Sequence, residues 1–131
     1  MMAKEKCAEC GKVTEHKLKM VKRRERVLNE YVESIVPCMF CQNCGDGYFL
    51  FNEEFERKVT ESKRRQQGFL NGSEIQAIRE KTGQDINGFI ELMKENGGDC
   101  SQKCYECFEN DTMCQNEKNE IAIRKIAEQY K

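Results

Sequence analysis

Cys7-Ala-Glu-Cys10 and Cys41-Gln-Asn-Cys44-Gly45 decide how this chain is read. Two Cys-x-x-Cys pairs with thirty residues between Cys10 and Cys41 have the spacing of a tetrahedral four-cysteine zinc site. Each pair sits on a tight turn whose two thiolates converge, and the fold brings the turns together. Cys7, Cys10, Cys41 and Cys44 are therefore the expected ligands of one structural Zn²⁺. They are four of nine cysteines in 131 residues.

Disulfides are the competing use of so many thiols. Met1-Met2-Ala3-Lys4-Glu5-Lys6 contains no apolar run, so no signal peptide is expected. No stretch approaches the length of a membrane span, so no membrane partner is expected either. A cytoplasmic chain keeps its thiols reduced, which favours metal over disulfide. With 38% hydrophobic residues and no Trp, either half can bury only a modest core, and a metal is the usual staple.

The net charge of −1 is unevenly distributed. Residues 1–67 carry 14 Lys and Arg against 11 Asp and Glu, a net of +3, and the remainder carries 8 against 12, a net of −4. An acidic second half speaks against strong, sequence-independent binding of polyanions there.

Outward from the cysteine pairs, Val27-Leu28-Asn29-Glu30-Tyr31-Val32-Glu33-Ser34-Ile35-Val36 carries apolar groups at both odd and even positions, which fits twisted antiparallel strands better than a helix. Pro37 is expected to end this run before the second pair. Gly47-Tyr48-Phe49-Leu50-Phe51 reads as a short final strand. Residues 1–52 thus form a zinc-ribbon-like β module. Asn52 caps a helix over residues 53–67, acidic at its start and basic at Lys63, Arg64 and Arg65, with Phe55, Val59 and Ser62 along one face and Gly68 as its stop. It reads as a connector or as a solvated linker helix. Residues 68–131 read as a compact all-α domain of short helices. Ser73-Glu74-Ile75-Gln76 is taken as a capping box before a helix that ends at Gly83. Asp85 caps a second helix that breaks at Gly97-Gly98. Asp99 or Ser101 caps a third, and Asn116 or Asn119 opens a last one with Ile123, Ile126, Ala127 and Tyr130 on one face. The fold class is α+β.

The order of these parts resembles the MqsA/YgiT-type antitoxins of bacterial type II toxin–antitoxin systems, over nearly the whole chain. The residues that carry the resemblance are the two cysteine pairs and Phe69-Leu70-Asn71-Gly72-Ser73-Glu74-Ile75-Gln76-Ala77-Ile78-Arg79-Glu80-Lys81-Thr82-Gly83, similar to the first helix of that family's helix-turn-helix domain. Tyr105-Glu106-Cys107-Phe108-Glu109-Asn110-Asp111 resembles the end of its recognition helix, and Ile121-Ala122-Ile123-Arg124-Lys125-Ile126 its closing helix. The resemblance implies a zinc domain that binds and masks a partner toxin, typically an mRNA-cleaving ribonuclease. It also implies a helical domain that forms a homodimer and represses its own operon by placing a recognition helix in the major groove of palindromic operator DNA. Ser101, Gln102, Lys103 and Glu106 are then the DNA-facing residues, with Gln102 suited to adenine and Lys103 to phosphate. The chain departs from the family at Ile86, where a Gln is usual, in the long segment 94–99, and in a recognition helix without Arg.

Cys100, Cys104 and Cys107 are spaced as on one helical face, and Cys114 follows after a polar loop. They admit three readings: small buried hydrophobes, ligands of a second zinc, or ligands of an iron–sulfur cluster. Cys38 extends the second pair into a Cys38-x-x-Cys41-x-x-Cys44 series and either replaces one ligand or, as Pro37-Cys38 favours, lies just outside the turn. His16, the single histidine, has two readings, a place near the zinc or, as a lone His on a charged strand more often has, an exposed side chain. No catalytic constellation and no phosphate loop are visible, so an enzyme is not expected. Three functions follow: an antitoxin and repressor, a protein-binding inhibitor or adaptor without DNA binding, and a metal- or redox-sensing regulator using the C-terminal cysteines.

Overall fold

The computed structural model describes residues 2–131. A four-stranded antiparallel sheet precedes five helices. The strands are β1 (Met2–Lys6), β2 (Val13–Val27), β3 (Glu30–Cys41) and β4 (Gly47–Phe49), adjacent in chain order. The helices are α1 (Glu53–Gln67), α2 (Gly72–Thr82), α3 (Ile86–Glu95), α4 (Gln102–Glu109) and α5 (Glu117–Gln129). The chain divides into two compact units, one of residues 1–26 and 31–55, the other of residues 27–30 and 56–131. No helix is long and apolar enough to cross a membrane.

In the first unit, β2 and β3 form a long ribbon joined by Leu28 and Asn29. β1 pairs with the metal-proximal end of β2, with Ala3 opposite His16 and Lys6 opposite Val13. Side chains alternate across a strand, so each ribbon face reads separately. One face is covered: Val32, Val36 and Cys38 are buried there, and the Arg23 guanidinium lies 4.6 Å from the Phe49 ring and 4.5 Å from the Phe55 ring. Pro37 does not end β3, which continues to Cys41. Its carbonyl accepts a hydrogen bond from Leu50 N–H at 3.0 Å, and with no N–H to return, the ladder to β4 stops after Cys38 opposite Phe49.

The second unit has an apolar centre of Ile75, Phe89, Ile90, Met93, Tyr105, Phe108, Ala122, Ile123 and Ile126, drawn from α2 to α5. Phe89 and Tyr105 meet edge to face at 5.4 Å. Asn71, not Ser73, is the cap of α2. Its side chain accepts from Glu74 N–H while the Glu74 carboxylate accepts from Asn71 N–H, so the capping box lies two residues earlier than expected. Asp85, Ser101 and Asn116 cap α3, α4 and α5. Because Ser101 is the cap, Cys100 lies outside α4 and shares no helical face with Cys104 and Cys107. Asn119 instead turns inward and accepts the Asp99 N–H at 2.8 Å.

Helix α1 is fixed to this unit by Arg64, which the sequence assigned to the basic end of a helix dipole but which is buried. Its Nε donates to Gln115 Oε1 at 3.0 Å, Nη1 to Asp111 Oδ1 at 2.6 Å and Nη2 to the Phe108 carbonyl at 2.8 Å. Asp111 stands at φ 63 after α4, a left-handed position that Asp tolerates, and it also accepts the Gly72 N–H at 2.8 Å. Gln115 passes the network on to Glu120, which takes the Leu70 N–H and Arg124 Nε. On another face of α1, Gln66 donates to the Val27 carbonyl and accepts the Asn29 N–H, while Ser62 and Arg65 hold Glu30.

Arg64→Met is expected to cost about 2–4 kcal/mol, because its removal leaves buried acceptors without a donor. Gly72→Ala is expected to destabilise the same unit, since a Cβ there would run into the Glu109 carbonyl and lie 2.6 Å from Asp111 Oδ1. Thermal melts followed by far-UV circular dichroism check both. An Arg64→Met midpoint within a degree of the parent would show that the network is dispensable.

Candidate metal centre

The two cysteine pairs fold into the same turn. In the first, Gly11 N–H donates to the Cys7 carbonyl at 2.9 Å and Cys7 N–H to the Lys12 carbonyl at 2.9 Å. In the second, Gly45 N–H donates to Cys41 at 2.9 Å and Cys41 N–H to Asp46 at 2.8 Å. Gly11 at φ 72 and Gly45 at φ 82 stand in the left-handed region that lets the chain reverse directly after the second cysteine. The sequence reading noted only Gly45. The repeated Cys-x-x-Cys-Gly was the signal for Gly11.

The turns bring Cys7, Cys10, Cys41 and Cys44 together with all four sulfurs within 4.8 Å of one another. Cys7 and Cys44 sulfurs are 3.7 Å apart, and Cys10 and Cys41 sulfurs 3.8 Å. A zinc ion with bonds of about 2.3 Å to four tetrahedral thiolates separates them by about 3.8 Å. The group can hold one metal ion, and its geometry and all-sulfur chemistry fit zinc. Cys7 and Cys41 are buried, Cys10 is half-buried and Cys44 exposed.

The surrounding polarity is uneven. The Lys12 backbone N–H, then the Asn43 side-chain amide, hold the Cys10 thiol down at about 6, and Asn43 Nδ2 lies 3.5 Å from Cys10 Sγ. Against the pull of the Asp46 backbone amide, partial desolvation and the thiols of Cys7, Cys41 and Cys10 push Cys44 up to about 12. Four sulfurs this close cannot all ionise unless a cation balances them. Asn43 is a second residue the sequence reading passed over. Its effect depends on one turn reaching across to the other.

Cys38 stands outside the group, buried on β3, and burial raises its thiol pKa. His16 is not exposed as expected. It is buried, with Nδ1–H donating to the Thr14 carbonyl at 3.1 Å and Nε2 3.8 Å from Glu5 Oε1. Glu5 also accepts the Tyr48 hydroxyl. These three line a cavity of about 250 Å³ beside Cys7.

The C-terminal cysteines are not brought together. Among the described residues, Cys7, Cys10, Cys41 and Cys44 form the only group of three or more His, Cys, Asp or Glu side chains placed to share an ion. Cys100 and Cys104 pack against the apolar centre, and Cys100 Sγ lies 3.9 Å from Met93 Sδ. Cys114 Sγ instead meets the Gln115 carbonyl at 3.3 Å, while Cys107 is half-buried on α4. Burial pushes Cys100 up to about 11 and raises Cys114 as well. Cys100 and Cys104 thus act as small, partly buried apolar side chains.

Ser101, Gln102 and Lys103 are exposed at the start of α4. The Ser101 hydroxyl is occupied as the cap, accepting Cys104 N–H at 3.2 Å. Gln102 Nε2 donates to Glu106 Oε1 at 3.2 Å. Comparison of the chain with protein-family models, with curated proteins and with solved structures finds no match.

Elemental analysis of protein purified without air is expected to find one zinc per chain. Asn43→Ala is expected to speed zinc transfer to a colorimetric chelator by about tenfold, because a donor to Cys10 is lost. Unchanged release would mean that the Asn43 contact does not support the site.

Proposed function

We propose that this protein is a non-catalytic antitoxin. Its metal-holding first unit binds and neutralises a partner toxin, and its helical unit represses its own operon as a homodimer. One observation carries the reading: a closed four-cysteine centre and a capped helical unit occur in one chain, in the order of the MqsA/YgiT-type family it resembles. Four thiolates complete a tetrahedron and leave no open position for water or substrate, so the metal's role is structural and the first unit acts by binding. In the second unit, α2 and α3 stand before α4, and the exposed residues at the start of α4 are those the resemblance places against DNA.

The adaptor reading has its own support. Gln102 spends its amide on Glu106, and the half-buried Glu109 takes Arg79 Nε at 2.7 Å, so α4 offers Lys103 as its exposed cation beside acidic neighbours. Specific base contacts are most often made by Arg, which α4 lacks. The sensor reading has less support, because among the described residues Cys100, Cys104, Cys107 and Cys114 do not form a group placed to share an ion.

Two assays separate these readings. Co-expression with the protein encoded by the neighbouring gene is expected to give a stable complex and restore growth. Gel shifts with the upstream DNA are expected to show binding that weakens by about 5- to 100-fold in Gln102→Ala and loses about one unit of salt slope in Lys103→Ala. A complex without any shift at low salt selects the adaptor. No complex and no shift reject both.

A further inference from the structure

The ribbon's second face is covered at its metal end, where His16, Met39 and Cys41 are buried, and open toward the turn. Met20, Lys22 and Arg24 alternate along β2 on this open part, and Tyr31, Glu33 and Ile35 along β3. Met20 is 59% exposed, Tyr31 56% and Ile35 59%. Their shared face is fixed by contacts: Glu33 lies 3.4 Å from Lys22 Nζ and 3.3 Å from Arg24 Nε, and the Arg24 guanidinium sits 4.0 Å over the Tyr31 ring. Such a row of large exposed apolar groups on a charged strand is not needed for the fold, whose buried residues lie elsewhere.

We propose that this face binds single-stranded nucleic acid, laid along β2. Three features of the face select that ligand. By the same alternation Lys22, Arg24 and Arg26 of β2 stand on this face, with Glu33 of β3 facing them, a local excess of cations against the −1 of the whole chain. Same-face residues recur about every 6.8 Å along a strand, near the spacing of successive phosphates in an extended nucleic-acid strand. Tyr31, backed by Arg24 and flanked by Ile35 and Met20, offers a flat apolar platform on which a base can stack, the combination that single-strand-binding surfaces use. An open sheet accepts unpaired bases, whereas a duplex hides its base faces in the stack. Glu33 is the built-in brake, because it engages both Lys22 and Arg24 in the free protein. The site belongs to the first unit and is separate from the DNA-facing residues proposed on α4.

Fluorescence anisotropy with a labelled oligouridylate of about 12 nucleotides tests the assignment on the full metal-loaded chain. Binding at low salt is expected. Tyr31→Ala should weaken it about tenfold. The double variant Lys22→Ala/Arg24→Ala should weaken it and flatten the salt slope by about 1.4. Glu33→Gln should tighten it about threefold by releasing two cations. All four positions are exposed or half-exposed, and circular dichroism and zinc content confirm that the variants fold. The proposal is overturned by absence of binding, by binding that persists unchanged in Tyr31→Ala and in the double variant, or by equal affinity for a duplex of the same length.

Discussion

Four sulfurs held within 4.8 Å of one another are the constraint on which the first unit is built. As thiolates the sulfurs tolerate this closeness only with a cation among them, and a cation there would complete a tetrahedron that two separate turns must supply in register. The sheet follows from that requirement. β2 leaves the first turn, β3 returns into the second, and the backbone bonds of Cys7 and Cys41 repeat one another to within 0.1 Å (2.9 and 2.8 Å). A unit this small has few large apolar side chains to bury, and an ion held by the four cysteines would stand in for the missing core.

The second unit solves the same problem differently. Its apolar centre is contiguous, but the segments around it, 68–71 and 110–116, are irregular and need their backbone groups satisfied. Arg64 and Glu120 do this with opposite charges. Arg64 gathers carbonyls and acceptors after α4, Glu120 takes the Leu70 N–H, and Gln115 bridges the two. The burial of both charges is tolerable because nearly every polar atom is paired, which is the condition under which a buried network specifies one structure. Among the described residues Tyr105 is the exception: its hydroxyl is buried without a hydrogen-bond partner, and burial raises its pKa. The cost is offset by the packing of its ring against Phe89 and Phe108.

The sequence made the metal centre legible because its signal is local: ligand type, spacing and the following glycine all sit within one turn. The α+β class, the ribbon and the helix order were legible for a similar reason, in periodicity and caps. What escaped was set by partners far along the chain. β1, with the sequence Met-Ala-Lys-Glu-Lys, has no strand pattern of its own and is a strand because β2 pairs with it. The turn between β2 and β3 lacks the usual Asn-Gly signal and places Leu28 at φ 57, a conformation costly for a branched side chain. Arg64 sits in a basic run that satisfies the helix-dipole rule equally well exposed or buried, so only the acceptors at 108–115 reveal its role. His16 looked exposed because its neighbours in sequence are charged, although alternation puts it on the opposite face from them.

The two units therefore respond to different conditions. Loss of metal removes the balancing charge from the thiolates and acts on the first unit, whereas the centre of the second contains no ligand and depends on packing and on the Arg64 network. Acid acts on the first unit in the same direction as a chelator, since protonating any of four thiolates competes directly with the ion. A single unfolding midpoint thus mixes two equilibria, and two-state stability values for the whole chain have no simple meaning unless metal is held constant. Oxidation of the four clustered thiols or metal depletion thus acts on the first unit, while in the helical unit Cys100 and Cys104 are packed, partly buried, against the apolar centre.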